Sequence, residues 1–456
     1  MRKWWPLVAV CLGAFMLLVD VTIVVVALPD VGQDLGASFA DLQWVMDAYA
    51  LALAALLMAA GSLADRFGRR RAYVGGLVLF VLASLACGLA GGAPALVAAR
   101  AVQGVGGAAM FAATMALLNA TYRGSDRAAA FGVWGAVTGA AAAAGPILGG
   151  VLTQYVSWRA IFLVNLPVGL LTVLLARRVL AESRDPGARR VDGAGVAAFT
   201  LSAGAVTYAL IRAGEHGWTA PGTLAWFGVG AAALVGFVSV ERRQPHPMLD
   251  LALLRRPAFV AVLVAAALSS VAAFSYTVYT SVWLQSVLGL SAIGAGLALL
   301  PMSAAAFVTS AVTARRFVDV TPRRTIAGGL ALIGAGGLAQ AFVGAGSSWP
   351  TLLPGLLVTG VGVGVCLPSL SAAAMASAPV DRGGMAAGAL NTARQLGMAL
   401  GIAALGTIFA GHVADRATAA AALGETMVVA GCVGLAGAVL VAALYRRRVA
   451  AAQPVR

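Results

Sequence analysis

Asp20 is the one charge in the segment Trp4 to Pro29, WWPLVAVCLGAFMLLVDVTIVVVALP, an apolar run long enough to cross a bilayer. A carboxylate at membrane depth costs several kcal/mol unless it is paired, hydrated or protonated, so such a residue points to function. Asp47, Arg100 and Arg394 sit in comparable apolar stretches. Counted along their helices, Asp20, Arg100 and Asp47 fall roughly 6–10 Å below one membrane boundary. Three charges on three helices could therefore share one cavity. Desolvation favours the protonated form of a carboxylate and a nearby cation favours its charged form, so the two together suit a group that binds and releases protons. Asp20 is the expected proton-coupling group and Arg100 its electrostatic partner; the alternative is a structural acid held permanently by a hydroxyl or by Arg100. Asp47, nearer the boundary, is expected either to join in coupling and substrate contact or simply to face water. Gln103 follows Arg100 at i+3, on the same helix face, and is a candidate substrate contact. Gly104 and Gly107 continue that face and permit close helix approach.

Two further faces carry groups suited to binding. Tyr276, Tyr279, Thr280 and Trp283 recur at i, i+3, i+4 and i+7, giving one helix face of rings and hydroxyls for lipophilic or cationic ligands. The alternative is a set of aromatics marking the membrane interface. Asn391, Arg394, Gln395 and Met398 form a similar face, with Arg394 near mid-membrane and obliged to find partners in a cavity or in packing.

The elements that must hold these residues are helices. The chain has 456 residues, of which 61% are hydrophobic and 11% charged, against about 25% charged in a soluble protein. About fourteen apolar segments of roughly 18–25 residues follow one another, each long enough to span. This predicts an all-α polytopic membrane protein. The first segment is span-length and the next follows without a soluble domain, which argues against a removable leader. The net charge of +14 does not imply nucleic acid, because the basic residues form short clusters between spans rather than a stripe interleaved with aromatics. With the N-terminus in the cytoplasm, the inside loops and tails hold 26 of the 31 basic residues, including Arg66, Arg69, Arg70, Arg71, Arg177, Arg178, Arg242, Arg243, Arg323 and Arg324. That asymmetry places both termini in the cytoplasm and the protein in the cytoplasmic membrane. The four cysteines all fall in apolar segments without metal-ligand spacing and read as small core residues. In the C-terminal half no acid is expected within a span.

The chain also repeats itself. Asp65-Arg66-Phe67-Gly68-Arg69-Arg70 and Asp319-Val320-Thr321-Pro322-Arg323-Arg324 both read D-x-x-x-R-R after an apolar helix, and Gly132 and Gly388 open later spans at nearly the same offset. Either this is a chance match of a common loop pattern or the chain has two halves around a midplane site. The offset of eight spans favours six plus six with two additional helices. The expected division is 1–182, a linker pair in 183–250 (its first loop carrying Pro186 and Gly187) and 251–456.

Several motifs, in order and at spacing over nearly the whole chain, resemble those of the fourteen-span drug:proton antiporters of the major facilitator superfamily. Asp20-Val21-Thr22-Ile23 with Ala27-Leu28-Pro29 is similar to the family's L-D-x-T-I-V-N-V-A-L-P, departing at Val25 where the family has Asn. Gly61 to Arg70 is similar to its loop motif, and Arg100 to Gly104 with Gly106 and Gly107 to its fourth-span motif. Gly145-Pro146 with Gly149-Gly150, then Trp158-Arg159, Phe162, Asn165 and Pro167, then Asn391, Arg394, Gln395 and Gly397, complete the set. The resemblance implies a major facilitator fold and a gate latch at Asp65, Arg66, Arg69 and Arg70. It also implies a leak seal at Gly145-Pro146, where the proline removes a backbone donor and bends the helix.

The expected function is export of lipophilic, cationic or toxic compounds in exchange for protons, with the proton gradient as energy source and no cofactor. Substrate, protons and lipid are the expected partners. Export of one endogenous metabolite or antibiotic is the alternative, followed by proton-coupled uptake. An intramembrane hydrolase is a distant third: Asp20 and Asp47 have no protease or metal context, and neither H-E-x-x-H nor a P-loop occurs.

Overall fold

The computed structural model describes residues 2–184, 192–244, 247, 249, 251–316, 321–377, 383–409 and 416–451. Asp319 and Val320 of the second loop motif, and Pro186 and Gly187 of the linker, lie outside the described residues. Fourteen helices run in succession, and no strand occurs among the described residues. They are α1 Trp5–Leu35, α2 Phe39–Phe67, α3 Arg69–Gly88, α4 Ala93–Thr121, α5 Gly124–Tyr155 and α6 Ala160–Val179. There follow α7 Gly193–His216, α8 Pro221–Arg243, α9 Pro257–Val287 and α10 Ala292–Arg316. The last four are α11 Pro322–Gln340, α12 Trp349–Ser377, α13 Gly383–Phe409 and α14 Arg416–Ala451. Thirteen are long and apolar enough to cross a membrane. The exception, α11, has 19 residues and opens on Arg323 and Arg324.

Local chemistry sets the boundaries. Ser38 accepts from Asp41 N at 3.2 Å while Asp41 accepts from Ser38 N at 2.9 Å, a reciprocal cap at the start of α2. Proline in the first turn opens α4, α9 and α11, where an N–H has no partner to lose. Gly36, at φ 58°, ends α1 in the left-handed region. In α6 the helix is interrupted at Val164, three residues before Pro167, which offers no N–H to the carbonyl of Leu163. Two π-turns, Val271–Ser275 and Trp283–Val287, widen α9 on either side of its aromatic face.

The helices cluster into two compact units. The first comprises Met1–Thr207, Ala225–Met248 and Leu290–Leu297, and the second Tyr208–Leu224, Leu249–Gly289 and Ala298–Arg456. Leu17, Tyr49, Tyr73, Phe80 and Met110 anchor the core of the first. Ile326, Leu330, Ile333, Cys366 and Leu370 anchor that of the second. In each unit two helices approach most closely where glycines face each other. A Cβ on Gly76 or on Gly106 would come 2.8 Å from the carbonyl of the other glycine, so α3 and α4 cross without side chains between them. Gly329 and Gly362 do the same for α11 and α12, at 2.9 and 2.7 Å.

Two expectations change. Glu425 lies more than two turns inside α14, so a spanning helix of the C-terminal half does carry an acid. The apolar run of residues 424–445 already contains Glu425. Cys11, Cys87 and Cys366 are buried, whereas Cys432 is exposed on α14.

Candidate functional site

The first unit brings four helices together around Asp20. Arg100 of α4 donates from Nη1 to Asp20 Oδ2 at 2.5 Å, and neither side chain is exposed. Gln103, one turn further along α4, donates to Asp20 Oδ1 at 2.8 Å, and Asn165 of α6 donates to the same oxygen at 2.9 Å. Ser84 of α3 ties the two amides together, its hydroxyl accepting from Gln103 at 2.8 Å and from Asn165 at 3.2 Å. Gln103 in turn accepts from Arg100 at 2.7 Å, with Cys87 Sγ at 3.7 Å from the same oxygen. Each group meeting Asp20 is a donor.

Arg100 is positioned by more than its acid. Its Nε donates to the carbonyl of Val45 on α2 at 3.1 Å, and its guanidinium lies 4.2 Å from the Tyr49 ring and 5.8 Å from that of Phe162. Gly104 makes this possible, since a Cβ there would meet Tyr49 O at 2.5 Å and hold α4 away from α2. The third predicted charge, Asp47, is fully buried rather than facing water, and neither of its oxygens has a hydrogen-bond partner. The structure brings Arg100 to Asp20, and brings to the same acid Gln103, read from the sequence as a substrate contact, and Asn165, read only as a motif residue; Ser84 had no place in the sequence reading. A serine among small residues gives no signal without knowledge of which face of α3 it occupies.

The flanks of this cluster are also built. At Gly145 a Cβ would overlap Thr22 Oγ1 and lie 2.8 Å from Thr22 Cβ, and at Gly149 it would lie 2.6 Å from Ile23 O. The Gly-Pro stretch of α5 thus packs on the turn of α1 directly after Asp20. At one end of the unit Asp34 accepts from Trp158 Nε1 at 3.0 Å and from Arg159 at 2.5 Å, while Arg159 also donates to Ala90 O at 3.3 Å. At the other end Arg69 pairs with Asp65 at 2.8 Å, and Arg66 lies over Phe67 at 5.3 Å. Glu182 accepts from the backbone N–H groups of Arg70 and Arg71 at 3.0 and 3.2 Å, capping the start of α3.

In the second unit the aromatic face of α9 is closed in. Tyr276, Tyr279, Thr280 and Trp283 are all fully buried. Gln340 of α11 donates to Tyr276 Oη at 3.0 Å and to Thr359 Oγ1 of α12 at 3.3 Å, and the Tyr276 hydroxyl lies 3.8 Å from Met302 Sδ. Tyr279 donates to Ile402 O and packs against Phe409, with ring centroids 5.3 Å apart. The indole nitrogen of Trp283 is buried without a partner. On α13, Asn391 donates to Ala387 O of its own helix at 2.9 Å. Gln395 and Arg394 are half-buried, and Arg394 Nε has no partner.

The family model of the Major Facilitator Superfamily matches residues 10–402, and the chain belongs to that superfamily of membrane transporters. It is 37% identical over 405 residues, 89% of this chain and 75% of the other, to the multidrug resistance protein Stp of Mycobacterium tuberculosis. It is 36% identical over 456 residues, 95% of this chain and 89% of the other, to the puromycin resistance protein pur8 of Streptomyces alboniger. A tetracenomycin C resistance and export protein of Streptomyces glaucescens is 33% identical over 415 residues, 91% of this chain and 77% of the other. The fold matches the crystal structure of the peptide transporter POT in complex with sulfate, with TM-score 0.70 and 18% identity over 96% of this chain and 95% of that one. The protein is thus a multi-pass transporter of the drug-resistance branch that its motifs resemble, and not an enzyme.

Proposed function

We propose that the protein exports lipophilic compounds in exchange for protons, with Asp20 as the group that alternates between proton and coupling charge. The carrying observation is the donor-only shell of Asp20. A carboxylate accepts and has nothing to donate, whereas a carboxylic acid must place its own O–H on an acceptor. Arg100, Gln103 and Asn165 all point donors at Asp20, so proton uptake has to open a shell built from α1, α3, α4 and α6. Asp47 suits the opposite charge state, because its oxygens meet no donor and an unpaired ionised carboxylate in apolar surroundings is very costly. Two acids in opposed settings, Asp20 on α1 and Asp47 on α2, fit a proton relay.

The names of these relatives, two of resistance proteins and one of a resistance and export protein, support export as the direction and antibiotics as the cargo. Two of them name a single compound, which supports a second reading, a dedicated exporter of one antibiotic or metabolite. In the proposed cycle both termini are cytoplasmic, the Asp65, Arg66, Arg69 and Arg70 group latches the cytoplasmic gate, and Gly145-Pro146 seals against leak. The division at 182 and 250 separates two moving halves from a linker pair. Tyr276, Tyr279, Trp283, Asn391, Arg394 and Gln395 meet substrate in a conformation more open than the present one.

Everted vesicles carrying a pH-sensitive dye test the reading, with lipophilic cations, neutral drugs and anions added in turn. Proton release that needs both substrate and wild-type protein, and is lost in Asp20→Asn, is expected. Equal release from folded Asp20→Asn would sink the assignment.

A further inference from the structure

The donor shell of Asp20 has one side that can give way. The two amides that meet the acid are bonded alike at nitrogen and unlike at oxygen. Gln103 Nε2 donates to Asp20 Oδ1 and to Ser84 Oγ, at 2.8 Å each, and Asn165 Nδ2 donates to the same two oxygens at 2.9 and 3.2 Å. Gln103 Oε1 is committed, accepting from Arg100 at 2.7 Å with Cys87 Sγ at 3.7 Å. Among the described residues no hydrogen bond ends on Asn165 Oδ1.

A proton on Asp20 belongs on Oδ1, because Oδ2 lies 2.5 Å from the Arg100 cation, which favours a bare oxygen there. The O–H of the acid then meets two amide nitrogens that only donate. Were Gln103 to turn over, its NH2 group would face Arg100 Nη1, donor against donor. Were Asn165 to turn over, its oxygen would take the place of Nδ2, within reach of Asp20 Oδ1 and Ser84 Oγ together. A carbonyl oxygen has two lone pairs. One accepts the O–H of the acid and the other the hydroxyl of Ser84, which accepts in both of its amide bonds and so has its own hydrogen to give. Gln103 keeps its two N–H bonds and Arg100 keeps Oδ2. The interruption of α6 at Val164 puts Asn165 first in the segment that follows, with no unbroken turn behind it to hold its side chain.

We propose that the shell opens at Asn165, whose amide turns over as Asp20 takes its proton, so that Asn165 and Ser84 register on α6 and α3 the charge carried by α1. This rests on Asp20 as the proton-carrying group; Asn165 acts through it and is a positioning residue. The other titratable groups facing the cluster are Arg100 of α4, Tyr49 of α2 and Cys87 of α3, while Asp47 of α2 makes no bond to any of them. The stretches of α5 from Phe131 to Gln154 and of α6 from Ala160 to Ala176 contain no titratable residue.

The test is infrared difference spectroscopy between acid and alkaline buffer, on the full-length protein in phosphatidylcholine nanodiscs. The chain holds three asparagines, Asn119, Asn165 and Asn391, so heavy carbon in the asparagine side-chain carbonyl gives a short set of bands. Asn165→Thr identifies the band of Asn165. In acid, a carboxylic-acid band absent from Asp20→Asn is expected, together with a fall in the Asn165 carbonyl frequency, because accepted hydrogen bonds weaken a C=O. An Asp20 band that rises while the Asn165 carbonyl stays still would overturn the proposal and leave the proton reading standing. No Asp20 band at any pH would overturn both. In vesicles, Asn165→Leu, with neither donor nor acceptor, should slow substrate-driven proton release about tenfold, the effect of one buried hydrogen bond left unmade. Asn165→Thr, whose hydroxyl serves in either sense, should recover most of that rate. Equal loss in folded leucine and threonine variants would overturn the proposal and leave Asn165 a packing residue.

Discussion

Arg100 meets Asp20 at 2.5 Å with neither side chain exposed, yet its second terminal nitrogen finds no acceptor and the guanidinium faces the Tyr49 ring instead. The cation is therefore held partly by its acid and partly by α2. A buried pair of this kind is fragile to the loss of one member, because the other is left as an uncompensated charge.

Arg100→Ala should accordingly lower stability by about 3–5 kcal/mol, seen as a fall in the thermal unfolding midpoint in detergent. Arg100→Lys should recover part of the loss, since an ammonium reaches Asp20 but reproduces neither the Val45 bond nor the ring contact. The double variant Asp20→Asn, Arg100→Ala should be more stable than Arg100→Ala alone. If Arg100→Ala unfolds at the wild-type temperature, the pair does not hold the helices together.

Asp47 invites the opposite experiment. With no partner on either oxygen, replacement by leucine should leave stability unchanged or raise it by about 1 kcal/mol, as expected when a buried polar group gives way to an apolar one. Substrate-driven proton release should nevertheless fall sharply. A lower unfolding midpoint in Asp47→Leu, or full coupling, would show that the carboxyl has a different task.

Gly145 gives a steric test. Alanine there overlaps Thr22, so Gly145→Ala should destabilise the α1–α5 contact by about 1–3 kcal/mol, as overpacking does. Thr22→Ala removes the overlapping oxygen and should restore part of that loss, a coupling that a double-mutant cycle measures. Strict additivity of the two changes would mean that the helices separate rather than clash.

Glu182 caps the backbone of Arg70 and Arg71. Glu182→Ala should cost about 1 kcal/mol, the usual worth of a helix cap, and should expose the start of α3. Faster tryptic cleavage after Arg70 or Arg71 is the readout, with Glu182→Gln intermediate. Unchanged cleavage would leave the carboxylate without a capping role.

Charge and spacing carried the reading of the first unit a long way. The lone charges in apolar runs identified Asp20 and Arg100, and the i, i+3 relation put Gln103 beside them. Ser84 stayed hidden because a small polar residue is common in packed helices, and only the rotation of α3 turns it toward the two amides. The aromatic face of α9 was legible as a helical period, but not its burial against α11 and α13, which depends on tertiary packing. Asp47 shows the limit of depth counting: distance along a helix says how far a residue lies from the boundary and nothing about which neighbours close over it.

The glycine crossings of α3 with α4 and of α11 with α12 have a consequence for what may stand beside them. Gly106 and Gly362, one from each crossing, stand 256 residues apart, as do Gly132 and Gly388. The same glycine contact thus recurs in both units, at positions where a side chain would part the two helices. The hydrogen-bonded clusters beside those crossings have diverged: Asp20, Arg100 and Gln103 carry charge in one, while Tyr276, Gln340 and Thr359 are neutral in the other. A close crossing of glycine backbones therefore places no demand on the charge of its polar neighbours: one crossing stands beside an ion pair and the other beside neutral amide and hydroxyl groups.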